Sequence, residues 1–359
     1  MAGGNGAAGH PTVITVFNQK GGVGKTTTSV NLAVCLAAFG QRVALIDLDS
    51  QSNATTSLGV TPPVATGAFH LITGRASFAE CLRKTPYDGL QLVGGSDELA
   101  WADIELALKP SPEAGLLRAF EAIPPHLDVI VIDCPPAPGI VSVNALVAAS
   151  VVVMPVMPSP HALDGLHKAW WNVNRVRSNF NRDLHTVNIL LTMTEDGELT
   201  KRLSEDIIAE FGSRVMPVLV PRDNVVIEAA ARDLPIAVLA AGSPPARAYL
   251  RVADLLMART HHMTAESPRG EDAPDRDGAL ARLERWHDAV GNLKLAVGAG
   301  VPADPVQAWA EEEPDLPPPP SMGWGWKLGV AAMLIALGAV LGFAAALAVL
   351  QGGPMALPG

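Results

Sequence analysis

Cysteine is scarce in this sequence, and the spacing of the few cysteines excludes two classes of protein. Only three occur among 359 residues, Cys35, Cys81 and Cys134, and no two of them form a Cys-x-x-Cys pair. Disulfide frameworks and structural zinc sites need paired cysteines at characteristic spacings. The sequence therefore excludes both classes and fits a reducing compartment.

Positive charge is also scarce. The formal net charge at pH 7 is −10, from 26 Lys and Arg against 36 Asp and Glu. Residues 1–260 contain 20 basic and 24 acidic residues, and residues 261–359 contain 6 and 12. Domains that bind nucleic acid through their overall charge are strongly basic, so the composition excludes that class.

Residues 1–10 lack the two parts of a secretory signal peptide. Such a peptide has a basic stretch followed by an apolar one. Here the segment is rich in Gly and Ala and has no Lys or Arg. It predicts a disordered N-terminus.

Short apolar runs alternate regularly with helical patterns across residues 11–260. Runs rich in β-branched residues predict strands at 13–17, 43–46, 90–93, 129–132, 151–155, 187–191 and 215–220. Thr26–Ala38 has helical spacing, and Gly40 is placed to end that helix. The alternation predicts an α/β fold with a mostly parallel sheet and helices on both faces. Ligands bind such sheets at the carboxyl ends of the strands.

The most specific motif follows the first predicted strand. Residues 18–27 read Asn-Gln-Lys-Gly-Gly-Val-Gly-Lys-Thr-Thr. Glycines between a strand and a helix let backbone N–H groups surround a phosphate. Lys25 can then reach the β- and γ-phosphates, and the Thr26 hydroxyl can ligate Mg²⁺. Gln19 stands where the common pattern has Gly, and Lys20 adds a second cation. The predicted nucleotide-binding residues of this loop are Lys20, Gly21, Gly22, Val23, Gly24, Lys25, Thr26 and Thr27.

Three aspartates close two other predicted strands. Asp133 follows four apolar residues and precedes Cys-Pro-Pro, which is the Walker B arrangement for holding Mg²⁺ through water. Asp47 and Asp49 lie two apart after another strand, so their side chains point the same way on an extended chain. One of them can orient the attacking water, and Asp47 is a further candidate metal ligand.

Together these segments resemble the ParA family of deviant Walker ATPases, which is related to MinD. The resemblance rests on residues 20–27, 47–55 and 131–136, and it continues through Met154–Leu166, Leu190–Met193 and Val220–Ala229. It implies an ATP- and Mg²⁺-dependent homodimer with nucleotide sandwiched between subunits. In that reading Lys20 reaches the phosphates of the other subunit and Asp49 positions the hydrolytic water. Pro221 and Arg222 lie by the adenine.

The resemblance further implies a ParB-like or cargo-adaptor partner that stimulates slow hydrolysis. Two departures stand out. Ser50 replaces the usual Pro after Asp49, and Val226 stands where a DNA-binding arginine is expected. Non-specific DNA binding is therefore left open. The basic clusters 175–182 and 201–202 are interpreted either as a substitute DNA patch or as solvated helix faces.

The C-terminal third predicts an attachment to a membrane. Residues 261–323 predict an acidic, Pro-rich linker, within which residues 278–296 have the pattern of an amphipathic helix. Residues 328–350 contain no charge, and at ~1.5 Å per residue they match a ~30 Å bilayer core. With Trp324 and Trp326 at the interface, residues 324–350 predict a transmembrane helix, and 351–359 form a short tail. A nucleotide site that needs cytosolic ATP places the 11–260 domain in the cytoplasm, as a tail-anchored protein of the inner membrane.

The sequence thus predicts a dimerising ATPase that positions or partitions DNA or a large protein cargo at a membrane. The alternative is a membrane-associated P-loop kinase or a regulatory ATPase of an envelope machine. Tyrosine kinases of this superfamily carry Tyr-rich tails, but this chain has only Tyr87 and Tyr249. Cluster-carrying reductases need paired cysteines, and a degenerate scaffold is opposed by the intact Lys25, Asp49 and Asp133.

Overall fold

A single sheet of eight strands organises the computed structural model, which describes residues 10–61, 64–261 and 275–298. Its strands are β1 (Thr12–Val16), β2 (Val43–Asp47), β3 (Leu82–Lys84), β4 (Leu90–Val93), β5 (Val129–Asp133), β6 (Val151–Val156), β7 (Thr186–Thr194) and β8 (Val215–Pro221). Their spatial order is β3-β4-β2-β5-β1-β6-β7-β8. All neighbouring pairs are parallel except β3 with β4. The predicted α/β class with a mostly parallel sheet is confirmed.

The antiparallel edge strand β3 was not predicted from the sequence. Its three residues, Leu82, Arg83 and Lys84, are only partly buried or exposed. A short strand of this kind carries no alternating or continuous apolar pattern, so nothing local marks it. Its pairing with β4 protects the sheet edge.

The helices that cover the sheet were predicted as a class, and the structure gives their bounds. They are α1 (Lys25–Ala38), α2 (Asn53–Ser57), α3 (Ala68–Ile72), α4 (Phe78–Cys81), α5 (Ala102–Ala107), α6 (Gly115–Ala119), α7 (Ile140–Val147), α8 (Ala162–Asn179), α9 (Glu198–Phe211), α10 (Asn224–Ala231), α11 (Ile236–Leu239), α12 (Pro244–His261) and α13 (Arg276–Gly298).

Alternate residues of the central strands face two separate cores. In β1, Ile14 and Val16 join the core under α1 and α12, and Val13 joins the core under α7 and α8. Both cores are strongly apolar, which is why the strands read as continuous apolar runs. The two layers of helices hold the strand ends rigidly in place, and the motifs lie at those ends.

Helix α13 occupies the position of the predicted amphipathic helix and packs on the α1–α12 core. Ala279, Leu283, Trp286 and Val290 are buried there. The ring of Trp286 lies 5.5 Å from that of Tyr87 between centroids. The described residues up to Ala296 belong to one compact unit.

Across the described residues, no helix combines the length and apolarity that crossing a bilayer requires. The transmembrane helix predicted at 324–350 lies outside those residues. The predicted disordered N-terminus falls largely outside them as well, as do the greater part of the linker and the tail 351–359. These features remain predictions.

Candidate nucleotide-binding site

Three strand ends bring the predicted motifs to one edge of the sheet. Val16, the last residue of β1, pairs in register with Asp133 at the end of β5. On the other side of β5, Asp47 pairs in register with the same Asp133. Since neighbouring strands lie roughly 4.8 Å apart, the loop after β1 and both aspartates form one site.

The loop after β1 is shaped to hold an anion. Gly22 and Gly24 adopt left-handed backbone angles, with φ of 72° and 83°, which side chains with a Cβ rarely tolerate. Nothing lies within 4 Å of the position a Cβ would take at Gly21 or Gly22, so this side of the loop is open. The loop runs into α1, a helix of 14 residues whose first N–H groups face an incoming anion.

Hydrogen bonds to two other strands, β6 and β7, and one within the loop hold it in this shape. The Asn18 amide donates to the carbonyl of Pro155 (2.8 Å) and accepts from the N–H of Lys20 (3.0 Å). The Thr192 hydroxyl, on β7, donates to the carbonyl of Val23 (2.9 Å). Protein groups by themselves thus hold the loop in this shape, which lowers the entropic cost of binding.

The two lysines of the loop are placed differently. Lys25 is buried, and its Nζ donates to the carbonyl of Lys20 at 3.1 Å. Burial lowers the pKa of Lys25, while the nearby charges of Asp133, Cys134 and Asp49 act to raise it. Lys20 is only partly buried, and its Nζ lies 3.1 Å from the Ser159 hydroxyl.

Asp133 is buried and has one unused oxygen. The Ser29 hydroxyl, one turn along α1 from Lys25, donates to Asp133 Oδ1 at 2.7 Å. Oδ2 has no hydrogen-bond partner. Burial, reinforced by the charge of Asp47, raises the pKa of Asp133 above its ordinary value. An unpartnered carboxylate oxygen beside a phosphate cradle fits Mg²⁺, which binds through one or two carboxylates and keeps several waters.

Asp47 organises the loop that carries Asp49. Asp47 Oδ2 accepts from the Thr55 N–H (2.9 Å) and hydroxyl (2.7 Å), and Oδ1 accepts from the Asp49 N–H (3.1 Å). These bonds favour a structural role for Asp47 over the metal ligation that the sequence left open. Asp49 is partly buried, and its Oδ1 accepts from the Gln51 N–H at 3.0 Å.

Gly95, which follows β4, packs against the loop that carries Asp49. Its N–H donates to the Thr55 hydroxyl at 2.8 Å. A Cβ at Gly95 would lie 2.8 Å from the Asp49 carbonyl oxygen and 3.1 Å from the carboxyl carbon of Asp47. The close approach therefore requires glycine.

Pro221 and Arg222 lie where β8 ends, beside the end of β7. The Arg222 N–H donates to the Thr194 carbonyl at 2.9 Å, and the exposed Arg222 side chain forms an ion pair with Glu195. Met193, on β7, has a left-handed φ of 51°, and its methyl carbon lies 3.6 Å from the Cβ position of Gly24. The end of β7 thus borders the phosphate loop, and the end of β8 lies beside that of β7.

Several residues of the site were missed by sequence reasoning. Ser29 had a local signal, since it lies four residues after Lys25 on the same helix face. Thr55 lies within the 47–55 segment, but no pattern assigned it a role, and Gly95 and Ser159 had no signal because their partners are distant in sequence. Within the described residues, no group of three or more His, Cys, Asp or Glu side chains suits a metal ion. All three cysteines are free and buried.

This sheet, with a glycine-rich loop after its central strand and an aspartate at the end of the adjacent one, defines a P-loop nucleotide-binding fold. A family model described as an AAA domain matches residues 11–186. The sporulation initiation inhibitor protein Soj of Bacillus subtilis is 38% identical over 243 residues, covering 67% of this chain and 96% of Soj. The chromosome partitioning protein ParA of Caulobacter vibrioides is 34% identical over 259 residues, covering 71% of this chain and 97% of ParA.

The chain therefore belongs to the ParA/Soj family of partitioning ATPases. Among solved structures, it is similar to cobyrinic acid a,c-diamide synthase from Mycobacterium smegmatis with a bound ATP analogue and magnesium. The TM-score is 0.61 at 29% identity, and the match covers 71% of this chain and 97% of the synthase.

Proposed function

We propose that this chain is an ATP-hydrolysing switch that dimerises around ATP and partitions DNA or a large protein cargo from a membrane. The different placement of its two loop lysines carries the proposal. The Lys25 ammonium is buried and committed to its own loop. The Lys20 ammonium is partly exposed, and its one side-chain hydrogen bond within the described residues is to Ser159. Lys20 is thus available to a nucleotide bound in a second subunit.

Different residues of the site have different roles in phosphoryl transfer. The N–H groups of residues 21–26 and the Lys25 ammonium bind the phosphate oxygens, and Lys20 of the opposite subunit adds charge as the transition state forms. Asp133 Oδ2 and the Thr26 hydroxyl would hold Mg²⁺, which neutralises charge on the phosphates when bound. Asp49 orients the attacking water, and Asp47 with Thr55 and Gly95 holds Asp49 in position.

Hydrolysis should depend on dimerisation, because each site uses residues of both subunits. One subunit alone supplies a single fixed lysine, so hydrolysis is slow until two subunits close on the nucleotide. A ParB-like or cargo-adaptor partner would then accelerate the closed state. The relatives named chromosome partitioning proteins support DNA as the cargo. The net charge of −10 supports a large protein assembly equally well.

Enzymatic assay and sedimentation of the full chain test the proposal together. We expect ATP hydrolysis that rises more than linearly with protein concentration, and a shift from monomer to dimer with a non-hydrolysable ATP analogue. Lys25→Gln should lose both, since it removes a phosphate ligand. Hydrolysis strictly proportional to protein concentration, without a nucleotide-dependent dimer, would contradict the proposed switch.

Membrane attachment through residues 324–350 is the second element of the proposal. Its support is the length and apolarity of that segment together with Trp324 and Trp326. A fluorescent fusion of the full chain should outline the cell envelope, and deletion of residues 322–359 should weaken that localisation strongly. Unchanged envelope localisation after the deletion would refute the anchor.

A further inference from the structure

Helix α8 and the turn that follows it carry a cluster of positive charges that form no ion pairs. Between residues 165 and 182 there are four basic residues, Lys168, Arg175, Arg177 and Arg182, and no Asp or Glu; Asp164 and Asp183 stand at the two ends. In a chain of net charge −10 this is a local reversal of sign. Within the described residues, none of the four forms an ion pair with a carboxylate.

Several arginines elsewhere in the domain are paired with acids. Examples are Arg42 with Asp128, Arg75 with Glu105, and Arg222 with Glu195. On α8 the Arg175 guanidinium lies instead over the ring of Trp171, 5.2 Å from its centroid. The stacking orients Arg175 along the protein surface without neutralising its charge.

Exposed aromatic residues accompany these cations. Trp171 is 59% exposed and Phe180 is 52% exposed. Beside them a largely apolar groove of about 450 Å³ runs between α7 and α8, lined by Ile140, Val143, Leu146 and Val176 together with Arg175 and Phe180, and it extends to Phe17 and Gln19 before the glycine-rich loop. We call Lys168, Trp171, Arg175, Phe180, Arg182 and this groove the basic face.

We infer that the basic face binds the anionic phospholipid head groups of the membrane surface. Cations near an anionic bilayer are attracted to its phosphates, and Trp and Phe side chains enter the boundary between head groups and acyl chains. The inference deepens the proposed function and rests on it in one respect, the proximity of a membrane.

The proposed anchor brings a membrane within reach of this face. The 25 residues from 299 to 323 span at most about 90 Å when fully extended. A domain of about 250 residues is roughly 45 Å across, from the usual scaling of size with length. The connection is therefore long enough for the basic face to reach the lipid.

Duplex DNA is a less suitable occupant for this surface. Binding to a phosphate backbone gains affinity from many basic contacts and no benefit from exposed apolar side chains. Here a few cations surround Trp171, Phe180 and an apolar groove, which is the composition of an interfacial surface.

Sedimentation of residues 1–298 with lipid vesicles tests the inference without the proposed anchor. This fragment suits the test because residues 1–296 form a compact unit, and a 243-residue match covers 96% of the Soj relative. We expect binding to vesicles of phosphatidylcholine with phosphatidylglycerol, little binding to phosphatidylcholine alone, and loss of binding in high salt. Arg175→Gln with Arg182→Gln should weaken binding about 30-fold, a factor of about five for each charge removed.

Matched variants distinguish vesicle binding by the basic face from binding through charged or apolar side chains elsewhere on the protein. Arg247→Gln with Arg251→Gln removes two exposed arginines from α12, on the opposite face of the sheet, and should leave vesicle binding unchanged. Trp171→Ala should weaken binding, whereas Trp101→Ala, at a tryptophan that is 67% exposed, should not. All variants should hydrolyse ATP like the wild type, which shows that they fold.

Three outcomes would overturn the inference. The first is no binding of residues 1–298 to anionic vesicles, and the second is equal loss in the α12 variant. The third is binding to duplex DNA, but not to vesicles, that the α8 substitutions abolish. None of these outcomes affects the tests of ATP hydrolysis, dimerisation or the anchor, so failure of this inference and failure of the proposed function are distinguishable.

Discussion

The ammonium of Lys25 donates a hydrogen bond to the backbone carbonyl of Lys20 across 3.1 Å. One lysine of the loop thereby fixes the backbone of the other, while the Lys20 side chain extends to Ser159 on a different loop. The consequence is a separation of roles within six residues. Lys25 belongs to the cradle, and Lys20 is held at its rim.

Replacing Lys20 should separate dimerisation from nucleotide binding. We expect Lys20→Gln to bind a fluorescent ATP analogue like the wild type, since its side chain makes no contact inside the cradle. Dimer formation with a non-hydrolysable analogue should be lost, and hydrolysis should fall about 10²–10³-fold, the usual effect of one transition-state contact. Ser159→Ala removes the resting contact of Lys20 and should dimerise normally. If Ser159→Ala reproduced the loss, Lys20 would have a structural role instead.

Replacing Asp49 should stop hydrolysis while leaving binding intact. The side-chain amide in Asp49→Asn keeps an oxygen that can accept from the Gln51 N–H, so the substitution should preserve the turn. The amide cannot act as a carboxylate toward water, and we expect turnover to fall about 10²–10⁴-fold. Single-turnover hydrolysis measures the effect, with the exposed Asp97→Asn as the control. Turnover in Asp49→Asn equal to that of Asp97→Asn would remove Asp49 from the mechanism.

Adding one methyl group at Gly95 should displace the loop that carries Asp49 and so affect hydrolysis indirectly. The new Cβ of Gly95→Ala would meet the Asp49 carbonyl oxygen at 2.8 Å, so the loop must shift. We expect a loss of stability of about 1–3 kcal/mol and reduced hydrolysis. Gly165→Ala is the matched control, because it lies within α8 with nothing within 4 Å, and should stabilise the fold by about 0.5–1 kcal/mol. Urea denaturation that shows Gly95→Ala as stable as the wild type would contradict the packing described.

The buried carboxyl of Asp133 should make the stability of the nucleotide-free protein depend on pH. Folding raises the pKa of Asp133 above its ordinary value of 3.8, chiefly by burial. Stability from a group of this kind is complete below the unfolded pKa and is lost as pH rises through the folded pKa. Asp133→Asn does not titrate, so without Mg²⁺ its advantage over the wild type should grow with rising pH, reaching about 1–3 kcal/mol at neutral pH.

Urea denaturation at about pH 5 and about pH 8 tests this expectation, since the two pH values bracket most of the raised titration range. A difference between Asp133→Asn and the wild type that does not change with pH would contradict it. The variant should also lose ATP hydrolysis, because a neutral amide holds Mg²⁺ far less well than a carboxylate. Gained stability together with lost activity would identify the buried carboxylate as a functional residue.

The sequence by itself determined the features that depend on neighbouring residues. The strands of the core are continuous apolar runs, so they were found within a few residues of their observed ends, and α1 was found to within one. Asp47, Asp49 and Asp133 were placed at strand ends because parallel sheets align those ends. The glycines and lysines of residues 18–27 were enough to predict a phosphate-binding loop.

Tertiary structure alone decided which distant groups complete the site. Thr55 and Gly95 support Asp49, Thr192 holds the carbonyl of Val23, and Ser159 receives Lys20. Each contact joins segments tens of residues apart or more, and no periodicity marks them because they form only when the sheet orders its strands. The same ordering leaves the cations of the basic face without ion pairs beside a largely apolar groove. Local composition determined that the loop binds phosphate. Packing determined which distant residues support the loop and which cations stay without ion pairs.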